Sequence, residues 1–249
     1  MSRAFTPLLV LAFSLPLGAA CGGDDDGGSG DDDGATIDAG GDDGGDDDGG
    51  GPDAAAGCEP TDVLPADWRP IASVSAGALT ATPGKDRTDA VVDATAADAP
   101  ADNPYLYIDL ATGTKVEVND VEALTSSEWD LAFERSSIRV NGGDSGPGNV
   151  AVAVVEAAFD DVTEAPKDAE FAADDWVGED CQYQSIPGGE PLTAIGEWYD
   201  YNVMTHELTP KEEVYVVRSH GGDLFKVTIG TWYGGEGVPA IFEVAWAPL

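Results

Sequence analysis

Side chains that could bind a transition metal are few, and they lie in the last third of the chain. The sequence contains two histidines and two methionines. Met1 belongs to a segment that would be removed on export, so Met204, His206 and His220 are the main thioether and imidazole ligands available. Phenolic ligands or aromatic pocket walls could come from the tyrosines of the same region: Tyr199, Tyr201, Tyr215 and Tyr233.

The spacing of these residues limits how they could bind one metal ion. Met204 and His206 stand two positions apart, so on a strand they share a face and approach from one side. If residues 197–207 pair with residues 213–219, His206 lies near the turn and His220 at the far end of its strand. Six strand residues at roughly 3.3 Å each would separate the two histidines by about 20 Å.

His206 is therefore predicted as the primary ligand, with Met204 as the next candidate. A two-sided site would require a loop at residues 203–210 in place of a strand. Each residue also has an ordinary structural interpretation, because a histidine beside a turn is commonly a surface residue and a methionine commonly fills a core. For His220, at a hairpin tip, the surface interpretation is favoured.

An aromatic-rich strand leads into a glycine-rich turn near the middle of the chain. Trp129, Leu131 and Phe133 alternate with other residues, the period of two expected of a strand with one buried face. Residues 141–148 are glycine-rich, where a left-handed backbone costs little, and residues 150–155 predict the next strand. We expect this motif to form core and turn; the alternative is that its aromatic rings line a pocket directly.

The rest of the folded region predicts further strands and little helix. A hairpin is indicated at residues 104–118 and a short helical turn within residues 120–127. One or two short strands are expected between residues 65 and 104. The final third predicts strands at residues 197–207, 213–219, 224–232 and 240–246. Residues 58–249 are thus predicted to form a single, mostly β, antiparallel domain.

The central motif resembles the signature of the HmuY-type family of bacterial surface lipoproteins. The resemblance covers roughly residues 105–246, and a second run at residues 214–233 supports it. That family is known for haem-binding members with a mostly β fold. The resemblance therefore implies an HmuY-like fold and haem as the ligand. His206 and Met204 are the candidate haem ligands that the residues themselves provide. The motif residues are Trp129-Asp130-Leu131-Ala132-Phe133, Arg135, Arg139, Asn141-Gly142-Gly143, Ser145-Gly146 and Gly148.

The N-terminus predicts a lipoprotein. Residues 1–20 form a signal peptide with a basic start, a short apolar run and small residues before Cys21. This arrangement is typical of a bacterial lipobox, except that Gly18 stands where a large apolar residue is usual. Cys21 is predicted to be lipidated. The alternative is an ordinary secreted protein in which Cys21 is incidental.

Residues 21–57 are predicted to form a disordered tether. They are rich in glycine and carry 13 aspartates, too polar to offset the entropy of the chain by burial. The whole chain has a formal net charge of -37, which argues against binding to nucleic acid or to anionic lipid heads. We therefore expect contact with the membrane through a lipid anchor only, and we favour the outer membrane.

The cysteine count predicts one disulfide. If Cys21 is lipidated, Cys58 and Cys181 remain, and a pair in an exported chain is expected to be oxidised. Two free thiols or a metal-binding pair are the alternatives, although the sequence has no CxxC motif or Cys/His cluster.

No motif indicates an enzyme, and no catalytic residue is predicted. The sequence has no GxSxG or HExxH, and the glycine-rich turn lacks the ending of a phosphate loop. The leading hypothesis is an envelope-anchored haem-binding lipoprotein that captures or stores haem, with haem or a haemoprotein as partner. The alternative is a β-rich surface module that binds a protein or glycan and no haem.

Overall fold

The computed structural model describes residues 58–95 and 102–249. The predicted signal peptide, Cys21 and the acidic tether lie outside the described residues. The strands are β1 (Ala78–Pro83), β2 (Thr88–Asp93), β3 (Leu106–Asp109), β4 (Thr114–Val116), β5 (Leu131–Glu134), β6 (Ser137–Val140), β7 (Ala151–Val155), β8 (Tyr199–Asn202), β9 (Glu207–Pro210), β10 (Val214–Arg218), β11 (Leu224–Tyr233) and β12 (Pro239–Pro248).

Helices are short in the described part of the chain. The α-helices are α1 (Pro60–Val63) and α2 (Asp120–Ala123), and the 3-10 turns are Ala66–Trp68, Phe159–Asp161, Asp168–Glu170 and Gly235–Gly237. None of the described helices has the length and apolar character needed to span a membrane. The short helical turn predicted before Trp129 is α2. Its N-terminus is a capping box: the Asn119 side chain accepts the Glu122 backbone N–H, and the Glu122 side chain accepts the Asn119 backbone N–H.

The strands form two larger antiparallel sheets and a separate hairpin. The first sheet has the order β1-β2-β12-β11-β10-β7, and the second has the order β4-β3-β5-β6. Strands β8 and β9 pair only with each other. Buried side chains of both sheets belong to one core cluster, in which the Phe133 and Phe242 rings lie 5.1 Å apart between centroids. The predicted mostly β, antiparallel architecture is confirmed.

The central aromatic motif is buried on two faces. Leu131 and Phe133 enter the main core, whereas Trp129 and Ala132 belong to a second cluster with Tyr107. The Trp129 and Tyr107 rings meet edge to face at 4.9 Å. The prediction of one shared aromatic face is therefore wrong. Trp129 precedes β5, which begins at Leu131, so the alternation of the strand does not govern its direction.

The predicted long strand at residues 197–207 is also wrong. The chain reverses at residues 203–206, and β8 pairs with β9, while β10 pairs with β7 and β11. The Asn202 side chain accepts the backbone N–H groups of Met204 and Thr205, and His206 adopts a left-handed φ of 61°. This local bonding closes the turn four residues before Pro210 and removes the pairing from which the distance between the histidines was inferred.

The glycine-rich turn packs backbone against backbone, as predicted for a turn. A Cβ at Gly142 would lie 2.1 Å from the Val150 carbonyl oxygen, and Gly143 has a left-handed φ of 61°. The Asn141 amide donates to the carbonyls of Ser126 and Trp129 and accepts the N–H of Gly148. The turn is thus held to the segment before β5 by one side chain.

The predicted disulfide between Cys58 and Cys181 is present. Their Cα atoms are 5.6 Å apart, and 123 positions separate them in sequence. Cys58 packs on a small cluster built from Leu64, Trp176 and Val177. The bond fastens the first described residue to the irregular region that precedes β8.

Phe133→Ala should destabilise the domain by about 3–5 kcal/mol through lost burial and the cavity left behind. That loss is large against a typical reserve of roughly 5–15 kcal/mol. Chemical denaturation measures it. Val154→Ala, half exposed on β7, is the matched control and should change stability by less than about 0.5 kcal/mol. Equal midpoints for Phe133→Ala and the wild type would show that this ring is not part of the core.

The Asp174 carboxyl should make stability fall as pH rises. Burial raises its pKa from 3.8 to about 7, against the lowering effect of donors from Ser145, Ala194 and Val140. Between these values the folded chain holds a proton that the unfolded chain has lost, so the stabilising contribution is full below pH 3.8 and declines up to about pH 7.

Denaturation of the wild type and Asp174→Asn at pH 5 and pH 8 measures this contribution. The stability difference, wild type minus variant, should be smaller at pH 8. An equal difference at pH 5 and pH 8 would mean that the carboxyl is already ionised in the folded protein at pH 5, because neither state would then release a proton between the two pH values.

Candidate functional site

A pocket of about 830 Å³ opens beside the β8–β9 hairpin. This volume lies within the roughly 300–1,000 Å³ of typical small-molecule sites. The residues around it come from the turn after β5, the segment before β8, the hairpin and β11: Arg135, Ser136, Ile186, Pro187, Gly188, Glu190, Gly196, Glu197, Tyr199, Asp200, Tyr201, Val203, His206, Leu208, Lys211 and Trp232.

Its walls combine flat rings with aliphatic groups and two cations. Trp232 is fixed by a bond from its Nε1 to the Arg135 carbonyl at 2.8 Å. Tyr199 packs edge to face on the buried Trp198 ring at 4.9 Å. Arg135 and Lys211 bring positive charge to a chain that is otherwise strongly acidic. The pocket therefore offers stacking surface, apolar contact and two cations that can pair with carboxylates, beside the acidic side chains of Glu190, Glu197 and Asp200.

His206 lies in the pocket lining, at the last position of the hairpin turn. Its Nδ1 and the Tyr201 hydroxyl oxygen are 2.6 Å apart, and the two rings lie 6.1 Å apart between centroids. Both side chains are exposed, Tyr201 at 49%. The Tyr233 hydroxyl accepts the Leu208 N–H and ties the hairpin to β11. The two pocket residues are thus held on a short hairpin anchored from one side.

Met204 is placed differently from His206. It lies within the same turn, but its side chain is 85% exposed and is not part of the pocket lining. Its backbone N–H bonds to the Asn202 side chain. The turn therefore brings Tyr201, rather than Met204, next to His206.

A buried acid lies at the inner end of the pocket. The Glu190 Oε1 atom accepts the hydroxyls of Ser136 and Tyr199, whereas Oε2 has no hydrogen-bond partner in the described part of the chain. Burial, followed by the charge and hydrogen bond of Glu190, raises the pKa of the Tyr199 hydroxyl. Tyr199 is therefore held in its neutral phenol form.

His220 serves another part of the structure. It lies in the turn between β10 and β11, as expected, but its side chain is only 27% exposed. Its backbone N–H and its Nδ1 both contact the fully buried Asp130 carboxylate, at 2.8 and 2.9 Å. The interpretation of His220 as a simple surface residue is wrong, because the hairpin tip folds back onto the segment before β5.

Asp109, Asp130 and His220 place potential metal-ligand atoms within 4.8 Å of one another. The carboxylates are already engaged, however. Asp130 Oδ2 accepts the Leu110 N–H, and the Asp109 oxygens accept groups of Ala111 and Thr112. The hydrogen bonds of this cluster therefore hold neighbouring loops together.

The other two tyrosines named from the sequence lie outside the pocket lining. Tyr215 is buried in the main core and donates to Glu213. Tyr233 supports the hairpin through Leu208. Sequence reasoning did not find Arg135, Glu190 or Trp232, which come from separate elements and carry no local motif for a shared site.

Comparisons with known proteins give one family and several solved structures. A structure from Bacteroides fragilis described as a lipoprotein is 18% identical with a TM-score of 0.47, covering 67% of this chain and 92% of that one. A Bacteroides vulgatus structure described as an HmuY-like haem-binding protein is 19% identical with a TM-score of 0.46, covering 70% and 97%. An apo HmuY analogue from Tannerella forsythia is 15% identical with a TM-score of 0.45, covering 69% and 98%.

No curated protein sequence matches the chain. The family comparison gives a direct result, because the sequence model described as "HmuY protein" matches residues 101–246. This match spans more than half of the chain and contains both the central motif and the strands of the final third. The chain therefore belongs to the HmuY family.

Proposed function

We propose that this protein binds haem in the pocket beside the β8–β9 hairpin and that it acts as an envelope-anchored lipoprotein for haem capture or storage. The observation that carries the proposal is the pocket itself, which joins His206 to aromatic walls and two cations. Membership of a family known for haem-binding members favours haem over other flat ligands. A binding role also agrees with a family of binding proteins rather than enzymes.

The residues present fit the chemistry of haem. Tyr201 and Trp232 offer ring faces, and Ile186 offers apolar contact to a macrocycle. Arg135 and Lys211 could pair with propionate groups, since cations that donate hydrogen bonds favour carboxylates. Imidazole and phenol are both known ligands of haem iron, and haem supplies the iron that they would bind.

Haem binding is proposed to depend on His206, which lies in the pocket lining. Met204 remains a predicted second ligand; to reach the pocket, its exposed side chain would have to turn inward. The alternative function, a surface module for a protein or glycan partner, uses the same fold without iron. This alternative predicts that replacing His206 does not change how the protein interacts with a porphyrin.

The proposed domain organisation follows the sequence. Residues 1–20 are the signal peptide, residues 21–57 are the tether, and residues 58–249 form the haem-binding domain. Lipidation of Cys21 would anchor the chain, and the acidic tether would hold the domain away from the membrane because its like charges repel and extend it. We propose the outer membrane as its location.

Haemin titration of the wild type should give a sharp, shifted Soret band that saturates at one equivalent. His206→Ala should weaken haemin binding by roughly 10–100-fold while melting normally without haemin, because the side chain is exposed. His220→Ala is the matched control. It should leave the titration unchanged but lower the free energy of unfolding by about 1–3 kcal/mol, since it removes a donor from a buried carboxylate.

Two results would contradict this proposal. A wild-type spectrum equal to that of free haemin would reject haem binding by this protein. Loss of haemin binding in His220→Ala, with His206→Ala unaffected, would reject the assignment of the pocket.

Cys21→Ser should release the protein from the membrane fraction, because the lipid anchor is then absent. Cell fractionation and immunoblotting measure the shift. The double variant Cys58→Ser/Cys181→Ser removes two other cysteines and should stay in the membrane fraction. Retention of Cys21→Ser in that fraction would show that Cys21 is not the anchor.

A further inference from the structure

We propose that Tyr201 is the direct iron ligand in this pocket and that His206 is its positioning residue, which accepts the phenol proton. This inference rests on the proposed haem function and names the atom that would do the binding. It starts from the 2.6 Å contact between the Tyr201 hydroxyl oxygen and His206 Nδ1.

In the tautomer that we propose, with the Tyr201 hydroxyl as donor to Nδ1, the hydrogen bond leaves a lone pair on the phenol and none on the imidazole. A neutral histidine has one N–H and one acceptor nitrogen. When the Tyr201 hydroxyl donates to Nδ1, the proton of His206 lies on Nε2, and its only acceptor is used. The phenolic oxygen keeps lone pairs after donating. Of the two residues, Tyr201 therefore has the available ligand atom.

The pocket contains two tyrosines on one strand, and their partners differ in kind. Tyr199 and Tyr201 are two positions apart on β8, and both line the pocket. The Tyr199 hydroxyl donates to the carboxylate of the buried Glu190. The Tyr201 hydroxyl contacts the imidazole of His206 instead. Of the two tyrosines, Tyr201 is therefore the one whose hydroxyl lies against an imidazole that can take up a proton.

The proton transfer from Tyr201 to His206 is balanced and needs no outside reactant. The Tyr201 Oη–H bond breaks, its proton passes along the existing hydrogen bond to His206 Nδ1, and the oxygen becomes a phenolate donor. Lys211 and Arg135 line the same pocket and attract the new negative charge, whereas Glu190, Glu197 and Asp200 in the same lining repel it. An anionic oxygen is a hard ligand, so this site should prefer trivalent over divalent metal in a porphyrin.

The backbone around His206 supports a positioning role. His206 holds a left-handed φ of 61°, which is uncommon for a residue other than glycine. Its N–H bonds to the Asn202 carbonyl at 2.8 Å across the turn. In this turn the imidazole lies within hydrogen-bond distance of the Tyr201 hydroxyl on β8.

Resonance Raman spectroscopy of the ferric haemin complex tests the assignment. The wild type should show phenolate ligand vibrations, and Tyr201→Phe should abolish them and lose more haemin affinity than His206→Ala does. His206→Ala should keep phenolate vibrations while weakening binding by roughly 10–100-fold. Tyr183→Phe, a tyrosine outside the pocket lining, is the control and should match the wild type.

A second readout uses the protein without haem. Nitrogen-15 NMR should show His206 as the Nε2-protonated tautomer in the wild type, and Tyr201→Phe should shift its Nδ1 signal. Gallium(III) protoporphyrin should bind the wild type more tightly than zinc(II) protoporphyrin, and Tyr201→Phe should remove that preference.

The outcomes separate the two proposals. A wild-type spectrum equal to that of free haemin overturns the haem function and this inference with it. Bound haemin without phenolate vibrations, or with vibrations unchanged in Tyr201→Phe, overturns only the assignment of Tyr201. Loss of all axial ligation in His206→Ala, with Tyr201→Phe unaffected, would identify His206 as the direct ligand.

Discussion

The buried Asp174 carboxyl group makes the hydrogen bonds on which the irregular half of the fold depends. Its oxygens accept the Val140 N–H of β6, the Ser145 hydroxyl of the glycine-rich turn and the Ala194 N–H of the segment before β8. Removing this side chain would leave buried donors without acceptors. The free-energy cost of such unsatisfied donors exceeds the net stabilisation that the hydrogen bonds provide. Ala194 leads directly into residues 196–201, so this carboxylate also sets the position of the inner wall of the pocket.

The same principle explains the structural role of the family motif. Arg139 is buried between the Tyr105 and Trp176 rings, 4.2 and 4.7 Å from their centroids. Asn141 and Asp130 satisfy backbone groups of neighbouring loops. The side chains of Asn141 and Asp130 thus form the hydrogen bonds that a neighbouring strand would otherwise form with these backbone groups. Apart from Arg135, the motif residues are not part of the pocket lining.

Periodicity and local turn chemistry predicted much of the fold. Alternation is clear in β11 and β12, since one face of each long strand packs on the core. The shorter β10 is a nearly continuous apolar run that is buried on both faces. The cysteine count gave the disulfide. The turn at residues 203–206 was not predicted, because it contains no glycine or proline and depends on the side chain of Asn202. Pro210 gave a stronger local signal for a turn, and it ends β9 instead.

The site was predicted only in part, because it is assembled from distant segments. The sequence singled out His206 and Tyr201, but their contact needs the hairpin register in which β8 and β9 pair. Glu190 and Trp232 reach the pocket from elements more than 40 positions apart, a closeness that only the tertiary fold creates. Likewise, 90 positions separate His220 from Asp130, so its structural role could not be read locally.

The central claim is that haem binds beside the hairpin and away from the glycine-rich turn of residues 141–148. Titration of the nitrogen-15-labelled protein with gallium(III) protoporphyrin, a diamagnetic substitute for haemin, tests this directly by mapping amide shifts. The account predicts the largest shifts at residues 186–190 and 196–211 and at Trp232, with residues 141–148 unchanged. Shifts centred on residues 141–148, or on the outer face of the six-stranded sheet near Thr80 and Thr228, would contradict it.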